Sequence, residues 1–175
     1  MSIVIHLANL ISAIAPVREL CGLRRGLLRL GGIRIGNATR ITHGVAFYDK
    51  HVTIGEGVWI GMNTKFYSTG RAHIIVGNNI DIAPDCSIIS GTHHIGGAAR
   101  RAGPGRGEDV VIGDGTWVGA GCRILPGAEI GPGCVVAAGA VVLRGKYEAN
   151  SLLAGVPAKA LRNLDHETRC SGKAY

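Results

Sequence analysis

Residues 112–142 read IGDGTWVGAGCRILPGAEIGPGCVVAAGAVV. Aliphatic side chains fall six apart without a miss, at Ile112, Val118, Ile124, Ile130, Val136 and Val142. The next position is mostly small (Gly113, Gly119, Gly131, Ala137), and the fourth after each of the first five is small (Thr116, Cys122, Ala128, Cys134, Ala140). The same phase runs upstream through Ile35, Ile41 and Phe47, then Ile54, Ile60 and Phe66, then Val76, Ile82 and Ile88. Six residues are too few for a helix and its turn, and the 3.6-residue period of a helix is absent. The unit suits a short strand followed by a tight corner. Three units close a triangular coil of about 18 residues, and successive coils stack at the strand spacing of about 4.8 Å. The aliphatic residue points into the prism, the small residue four later fills the corner beside it, and Gly serves corners that need positive φ. The fold class is all-β, a parallel β-solenoid.

The composition agrees. Of 175 residues, 28 are Gly, 46% are hydrophobic and 18% are charged, which excludes a disordered chain and argues against a helix bundle, where interior Gly is costly. Gly lacks the strict three-residue period of collagen. The net charge of +7 gathers at Arg24–Arg40, Arg100–Arg106 and Arg144–Lys173. Single-strand nucleic-acid binders interleave such charge with aromatics, and this chain does not, so no nucleic acid partner is expected; a small polyanionic ligand accounts for the charge. The five cysteines (Cys21, Cys86, Cys122, Cys134, Cys170) are odd in number and form no CxxC pair. Cys86, Cys122 and Cys134 occupy the small corner position, so they read as core fillers in a reducing, cytoplasmic setting.

The first fifteen residues, MSIVIHLANLISAIA, place Ile3, Leu7, Leu10 and Ile14 on one helical face. They fall short of the roughly 20 residues of a spanning helix. The expected use of this face is packing against the domain or a neighbouring subunit, with loose membrane association through residues 1–15 as the alternative. The division expected is a helical segment over 1–32, the solenoid over 33–145 and an extension with a polar tail over 146–175.

The repeat breaks where function is expected. Between Ile88 and Ile112 lie 24 positions where six suffice, and the excess, SGTHHIGGAARRAGPGRGED (90–109), is Gly-rich and basic. A smaller insertion, YSTGRAHII (67–75), carries His73, and a one-residue slip surrounds His51. At the base of the looped-out stretch 91–109 stand His93 and His94. A general base needs a group that titrates near neutrality on a fixed scaffold, and His93 suits both needs. Trp117 and Trp59 sit five after a core aliphatic and point outward, where each needs a partner surface. The outer faces also carry Val58, Val135 and Val141.

Ser90-Gly-Thr-His-His94, Val111-Ile-Gly-Asp-Gly-Thr-Trp-Val-Gly119 and Leu153-Ala-Gly-Val-Pro-Ala-Lys159, in that order, resemble motifs of the hexapeptide-repeat acyltransferases, nearest to sugar and polysaccharide O-acetyltransferases and galactoside/maltose-type acetyltransferases. Leu20–Leu30 is similar to the helical lead-in of polysaccharide-tailoring members. The resemblance covers Ile33 to about Leu161. It implies a left-handed parallel β-helix of about six coils, a homotrimer with sites between subunits, and acetyl-CoA as co-substrate with no metal required. It implies acetyl transfer to a hydroxyl of a sugar, glycan or glycosylated metabolite, with His93 as base in a direct attack. By the same resemblance the Ala120 backbone N–H faces the thioester oxygen. Trp117 lies along the pantetheine arm, and Gly119, Ala138, Arg144, Lys146 and Lys159 hold the rest of the donor. Asn63 and His94 contact the acceptor, although Gly61 replaces the first Asn of the relatives' N-x-N motif. Two other readings keep the fold: an amine acceptor such as an amino sugar, or a zinc hydratase of the γ-carbonic anhydrase type, which needs three His ligands.

Overall fold

The structure, a computed structural model, describes residues 3–14 and 20–165. Met1, Ser2, Ala15, Cys170 and the tail beyond Asp165 lie outside the described residues. The repeat builds a parallel β-solenoid of about six turns. One face stacks Arg34–Ile35, Val52–Ile54, Ile74–Val76, Val110–Ile112, Ala128–Ile130 and Gly145–Tyr147. The second stacks Arg40–Ile41, Trp59–Ile60, Asp81–Ile82, Trp117–Val118, Val135–Val136 and Ser151–Gly155. The third stacks Ala46–Phe47, Lys65–Tyr67, Ser87–Ile89, Arg123–Ile124 and Val141–Val142.

All fifteen repeat aliphatics and aromatics are buried, and so are Thr116, Cys122, Ala128, Cys134 and Ala140 at the corners. Each buried Ile or Phe contributes roughly 1.5–3 kcal/mol, so the stripe is the chief source of stability. Phe47 and Phe66, paired in register on adjacent coils, stack inside the prism with centroids 4.7 Å apart. Val58 departs from expectation. It lies four after Ile54, in the inward corner position, and is buried in the protomer, whereas Val135 and Val141 are half-buried on the outside.

The two kinds of corner glycine have different causes. Positive φ belongs to the residue three after the aliphatic, as at Gly121 (φ 69°) and Asn63 (φ 60°). The Gly directly after the aliphatic is needed because the next coil lies against it: a Cβ on Gly119 would sit 2.6 Å from the Ala138 amide nitrogen. Any larger residue there would push two coils apart.

Both ends of the prism leave backbone groups to satisfy. Strand amides of each coil donate to carbonyls of the following one, as Gly36 does to Ile54 and Thr42 to Ile60, so first-coil strand carbonyls face the N-terminal end. Helix α1 (Ile3–Ile14) and helix α2 (Cys21–Leu30) cover that end. From α2, Arg24 donates to the Ile41 carbonyl (3.0 Å), Arg25 to Thr39 (3.1 Å) and Arg29 to Ile35 (2.8 and 2.6 Å). From α1, the Asn9 amide donates to the Phe47 carbonyl and accepts from the Phe47 amide. At the far end Ala158–Asn163 returns antiparallel along Ser151–Gly155.

α1 forms as expected, but the side it buries is Ile5, Ala8 and Ser12. Ile3, Leu7, Leu10 and Ile14 are exposed in the protomer. The polar anchors decide this: Asn9 and Ser12, whose Oγ lies 3.4 Å from the Thr42 carbonyl and whose own carbonyl accepts from Gly44, must face the coil.

Candidate active site

The insertion after Ile88 folds back on itself as an antiparallel hairpin, Gly91–Ile95 against Ala102–Gly107. It emerges between the third face and the first. Glycine lets its root close on the shorter insertion: a Cβ at Gly91 would meet Thr69 Cγ2 at 2.4 Å, and one at Gly107 would meet Ala72 Cβ at 2.6 Å. Buried Ser90 ties the two insertions together, accepting from the Thr69 amide through Oγ (3.2 Å) and from the Glu108 amide through its carbonyl (2.9 Å).

Between hairpin and turn lies an open cleft of about 780 Å³. One wall is Tyr48, Tyr67 and Ile89, the outward residues directly after the buried Phe47, Phe66 and Ile88 of three coils. In-register stacking brings the two tyrosines parallel, centroids 4.5 Å apart and planes 12° from coplanar. Burial, and then the neighbouring Tyr48, raise the Tyr67 phenol above its ordinary pKa, so it stays neutral. The other wall is Gly91, Thr92 and His93 with Gly105, Arg106 and Gly107. Ser68 and Thr69 line the turn side, and the buried Ser68 Oγ has no hydrogen-bond partner among the described residues.

His93 stands opposite Gly105 in the hairpin register, so no side chain crosses over it. Its Nδ1 lies 2.8 Å from the Gly103 carbonyl oxygen. A carbonyl only accepts, so Nδ1 carries the proton and Nε2 keeps the lone pair. That leaves a fixed imidazole with a proton-accepting nitrogen beside an aromatic cleft. His94 is exposed and does not line the cleft.

The remaining sequence-singled residues lie elsewhere. Trp117 is 57% exposed on the second face. At the following corner the Gly119 amide is used, donating to the Val136 carbonyl at 2.8 Å, while the exposed Ala120 has no backbone partner for its amide among the described residues. Ala138 and Lys159 are exposed. Arg144 is 2.7 Å from Glu108, which also holds Arg106 at 2.7 Å, and Lys146 is 3.1 Å from Glu129. Asn63 sits at the corner between the second and third faces and donates to Asp85 (3.1 Å). Trp59 is half-buried with the Arg40 guanidinium 5.9 Å from its ring centre. His73 packs edge-on against His51 (5.1 Å), and no group of three potential metal ligands occurs among the described residues.

Cys86, Cys122 and Cys134 are buried, and each thiol lies against a backbone carbonyl: Gly119 (3.2 Å), Ala137 (3.0 Å) and Glu148 (3.2 Å). The contact with Cys122, and burial, push the Cys86 thiol up, so it is no nucleophile. Tyr48, Tyr67 and Arg106 are site residues the repeat analysis did not single out. The signal was present, since Phe-Tyr recurs at 47–48 and 66–67.

A repeat-built prism with a histidine-bearing hairpin inserted at one corner defines a class by its architecture, the hexapeptide β-solenoids. Residues 109–144 match the family model described as bacterial transferase hexapeptide (six repeats). A hexapeptide-repeat containing acetyltransferase from Vibrio cholerae O1 biovar eltor, complexed with acetyl coenzyme A, shares 25% identity over 93% of this chain and 86% of its own, with a TM-score of 0.78. A galactoside acetyltransferase in complex with coenzyme A shares the fold (TM-score 0.82, 21% identity, 98% and 84% covered). So does AntD, an N-acyltransferase from Bacillus cereus in complex with dTDP and 3-hydroxybutyryl-CoA (TM-score 0.69, 23% identity, 78% and 75% covered). No curated protein shows significant sequence similarity to the chain. The chain thus carries the transferase hexapeptide repeat over 109–144 and shares its fold with hexapeptide-repeat acetyltransferases solved with acetyl coenzyme A or coenzyme A.

Proposed function

We propose that the protein transfers an acetyl group from acetyl-CoA to a hydroxyl of a carbohydrate bound in the tyrosine-walled cleft. The observation that carries this reading is the His93 imidazole, held at Nδ1 by the Gly103 carbonyl and open at Nε2 beside the cleft. In the reaction Nε2 takes the hydroxyl proton as the oxygen attacks the thioester carbon; the carbon–sulfur bond breaks and the proton leaves with the coenzyme A thiolate. The stacked tyrosines offer a flat apolar wall for a sugar ring. Ser68, whose hydroxyl lacks a partner, and Arg106 offer polar contacts beside it.

The donor reading draws on the Vibrio cholerae acetyltransferase, which was solved with acetyl coenzyme A. Here the residues suited to it are exposed Trp117 for the pantetheine arm, the unpaired Ala120 amide for the developing oxyanion, and Ala138 and Lys159 for the remainder. Arg144 and Lys146 reach phosphate only by sharing or releasing Glu108 and Glu129. Trp117 and the His93 cleft occupy different faces of one protomer, which supports a site completed across a subunit boundary; with the resemblance to trimeric relatives, the reading is a cytoplasmic homotrimer.

The test is release of coenzyme A thiol from acetyl-CoA in the presence of sugars, glycosides and amino sugars, with mass spectrometry placing the acetyl group. Ester formation on a sugar oxygen is the expected result. Amide formation alone would replace the hydroxyl acceptor by an amine, and no acceptor-dependent release would overturn the reading.

A further inference from the structure

The N-terminal cap is built inside out. In α2 the arginines point at the solenoid, where Arg24, Arg25 and Arg29 satisfy first-coil carbonyls that no strand covers. Leu28 is buried and Leu27 packs half-buried against the core, but Leu20 at the N-cap, Leu23 and Leu30 are left exposed, Leu30 by 79%. α1 does the same by another route. Asn9 and Ser12 hold one side to the coil, and Ile3 (88% exposed), Leu7, Leu10 and Ile14 (76%) line the other. Seven large apolar side chains thus crowd one end of the molecule, on two helices that touch each other. α1 carries no charged residue. At 1.5 Å per residue it is about 18 Å long, and no described helix is long and apolar enough to cross a bilayer.

Charge says what covers this end. Residues 1–50 hold seven Lys and Arg against two Asp and Glu, 7 − 2 = +5 of the whole chain's +7. Arg24, Arg25 and Arg29 donate to backbone carbonyls at this end of the solenoid, and Arg34, Arg40 and Lys50 are exposed on the first coil. An apolar layer over a cationic collar matches an anionic lipid surface, which takes apolar side chains to the depth of the acyl boundary and attracts the charge around them. A second copy of the same cap would bring +5 against +5.

We infer that the α1–α2 cap docks the protein on anionic membrane surfaces, lying in the interface without spanning it, so that the solenoid axis stands away from the bilayer. The inference goes beyond the proposed acetyl transfer and does not rest on it.

The test is co-sedimentation of the full chain with vesicles of phosphatidylcholine alone and with 30% phosphatidylglycerol (about 30 mol%) at low and high salt. Binding is expected to be at least about tenfold stronger on the anionic vesicles and to weaken with salt. Leu7→Ser with Leu10→Ser should lower it about tenfold or more. Both leucines are exposed, so the double variant should keep its melting temperature, and Leu30→Ser alone gives a second reading from α2. Failure of the parent protein to bind anionic vesicles overturns the inference. So does equal binding to both vesicle types, or undiminished binding by the cap variants. A change of oligomeric state in the double variant, with no vesicle binding by the parent, would make the cap a subunit interface instead.

Discussion

Replacing His93 separates a base from a structural residue. The ring makes one hydrogen bond, Nδ1 to the Gly103 carbonyl, on an exposed hairpin strand with only Gly105 opposite. His93→Ala therefore removes about 1 kcal/mol of local stabilisation at most, too little to unfold the solenoid. Its effect on catalysis should be far larger. A positioned general base is worth about 10²–10⁴ in rate, or roughly 2.7–5.4 kcal/mol of transition-state stabilisation. His93→Gln is the decisive companion, because a Gln amide can still donate to Gly103 but cannot take a proton. Steady-state thiol release with a working acceptor should show both variants down about 10²–10⁴-fold in kcat, with the KM for acetyl-CoA nearly unchanged. His94→Ala, outside the cleft, should stay within about twofold of the parent. If Gln restores activity, His93 holds the hairpin and is not the base. Full activity in all three variants would remove general-base catalysis by this pair altogether.

Three further outcomes follow from the geometry. Tyr48→Ala and Tyr67→Ala should each raise the acceptor KM about 3–10-fold, the worth of one aromatic wall, while donor KM stays put; an unchanged acceptor KM in both variants would place the sugar elsewhere. Gly119→Ala puts a Cβ 2.6 Å from Ala138 N and 2.9 Å from the Val136 carbonyl oxygen, and should lower the melting temperature by roughly 2–12 °C. Gly22→Ala, in α2 with open space around it, should raise it slightly, and calorimetry on the pair checks that sign reversal. The Asn78 backbone amide, and then its side chain, hold the Asp114 carboxyl below its ordinary pKa. A depressed folded pKa gives stability that is present above the unfolded value of about 3.9 and is lost as pH falls through the folded one. Asp114→Asn should thus flatten the melting curve below about pH 4, and an unchanged acid limb would discount the carboxylate.

The solenoid was legible in the sequence because its signal is redundant. Fifteen side chains obey one template, and every one is buried, so a single misread unit such as Val58 moves one residue and not the fold. The histidine motif was legible for a related reason: it stands where the template fails. The cleft was not. Tyr48 and Tyr67 are 19 positions apart, and only the in-register pairing of Phe47 with Phe66 stacks them. The hairpin was hidden because its strands, GTHHI and AGPGRG, lack both alternation and β-branched residues, and hold together by glycine contacts at the root. The facing of α1 was hidden too. Its apolar stripe is the stronger periodic signal, but two polar side chains with carbonyls to meet fix the orientation. Where a helix covers a strand end, the need to satisfy backbone groups outranks apolar area.

The same topology argues for a site shared between subunits. His93 leaves the solenoid between the third and first faces, Ala120 sits at the corner between the second and third, and Trp117 lies on the second. A whole sheet face separates His93 from Ala120 and Trp117 of its own chain. A thioester carbon cannot meet both within one protomer unless the donor wraps around the prism, whereas a neighbouring copy brings a second face directly alongside. Subunit mixing tests this. His93→Ala and Trp117→Ala, each with little activity at limiting acetyl-CoA, are unfolded together and reassembled. If base and tryptophan come from different chains, random assembly gives a fraction 1/2 × 1/2 of sites with both intact, about a quarter of parental activity. If each site is built within one chain, every site lacks one residue and mixing adds nothing. Activity no higher than the mean of the two variants would therefore sink the shared site, while leaving the assignment of His93 as it stands.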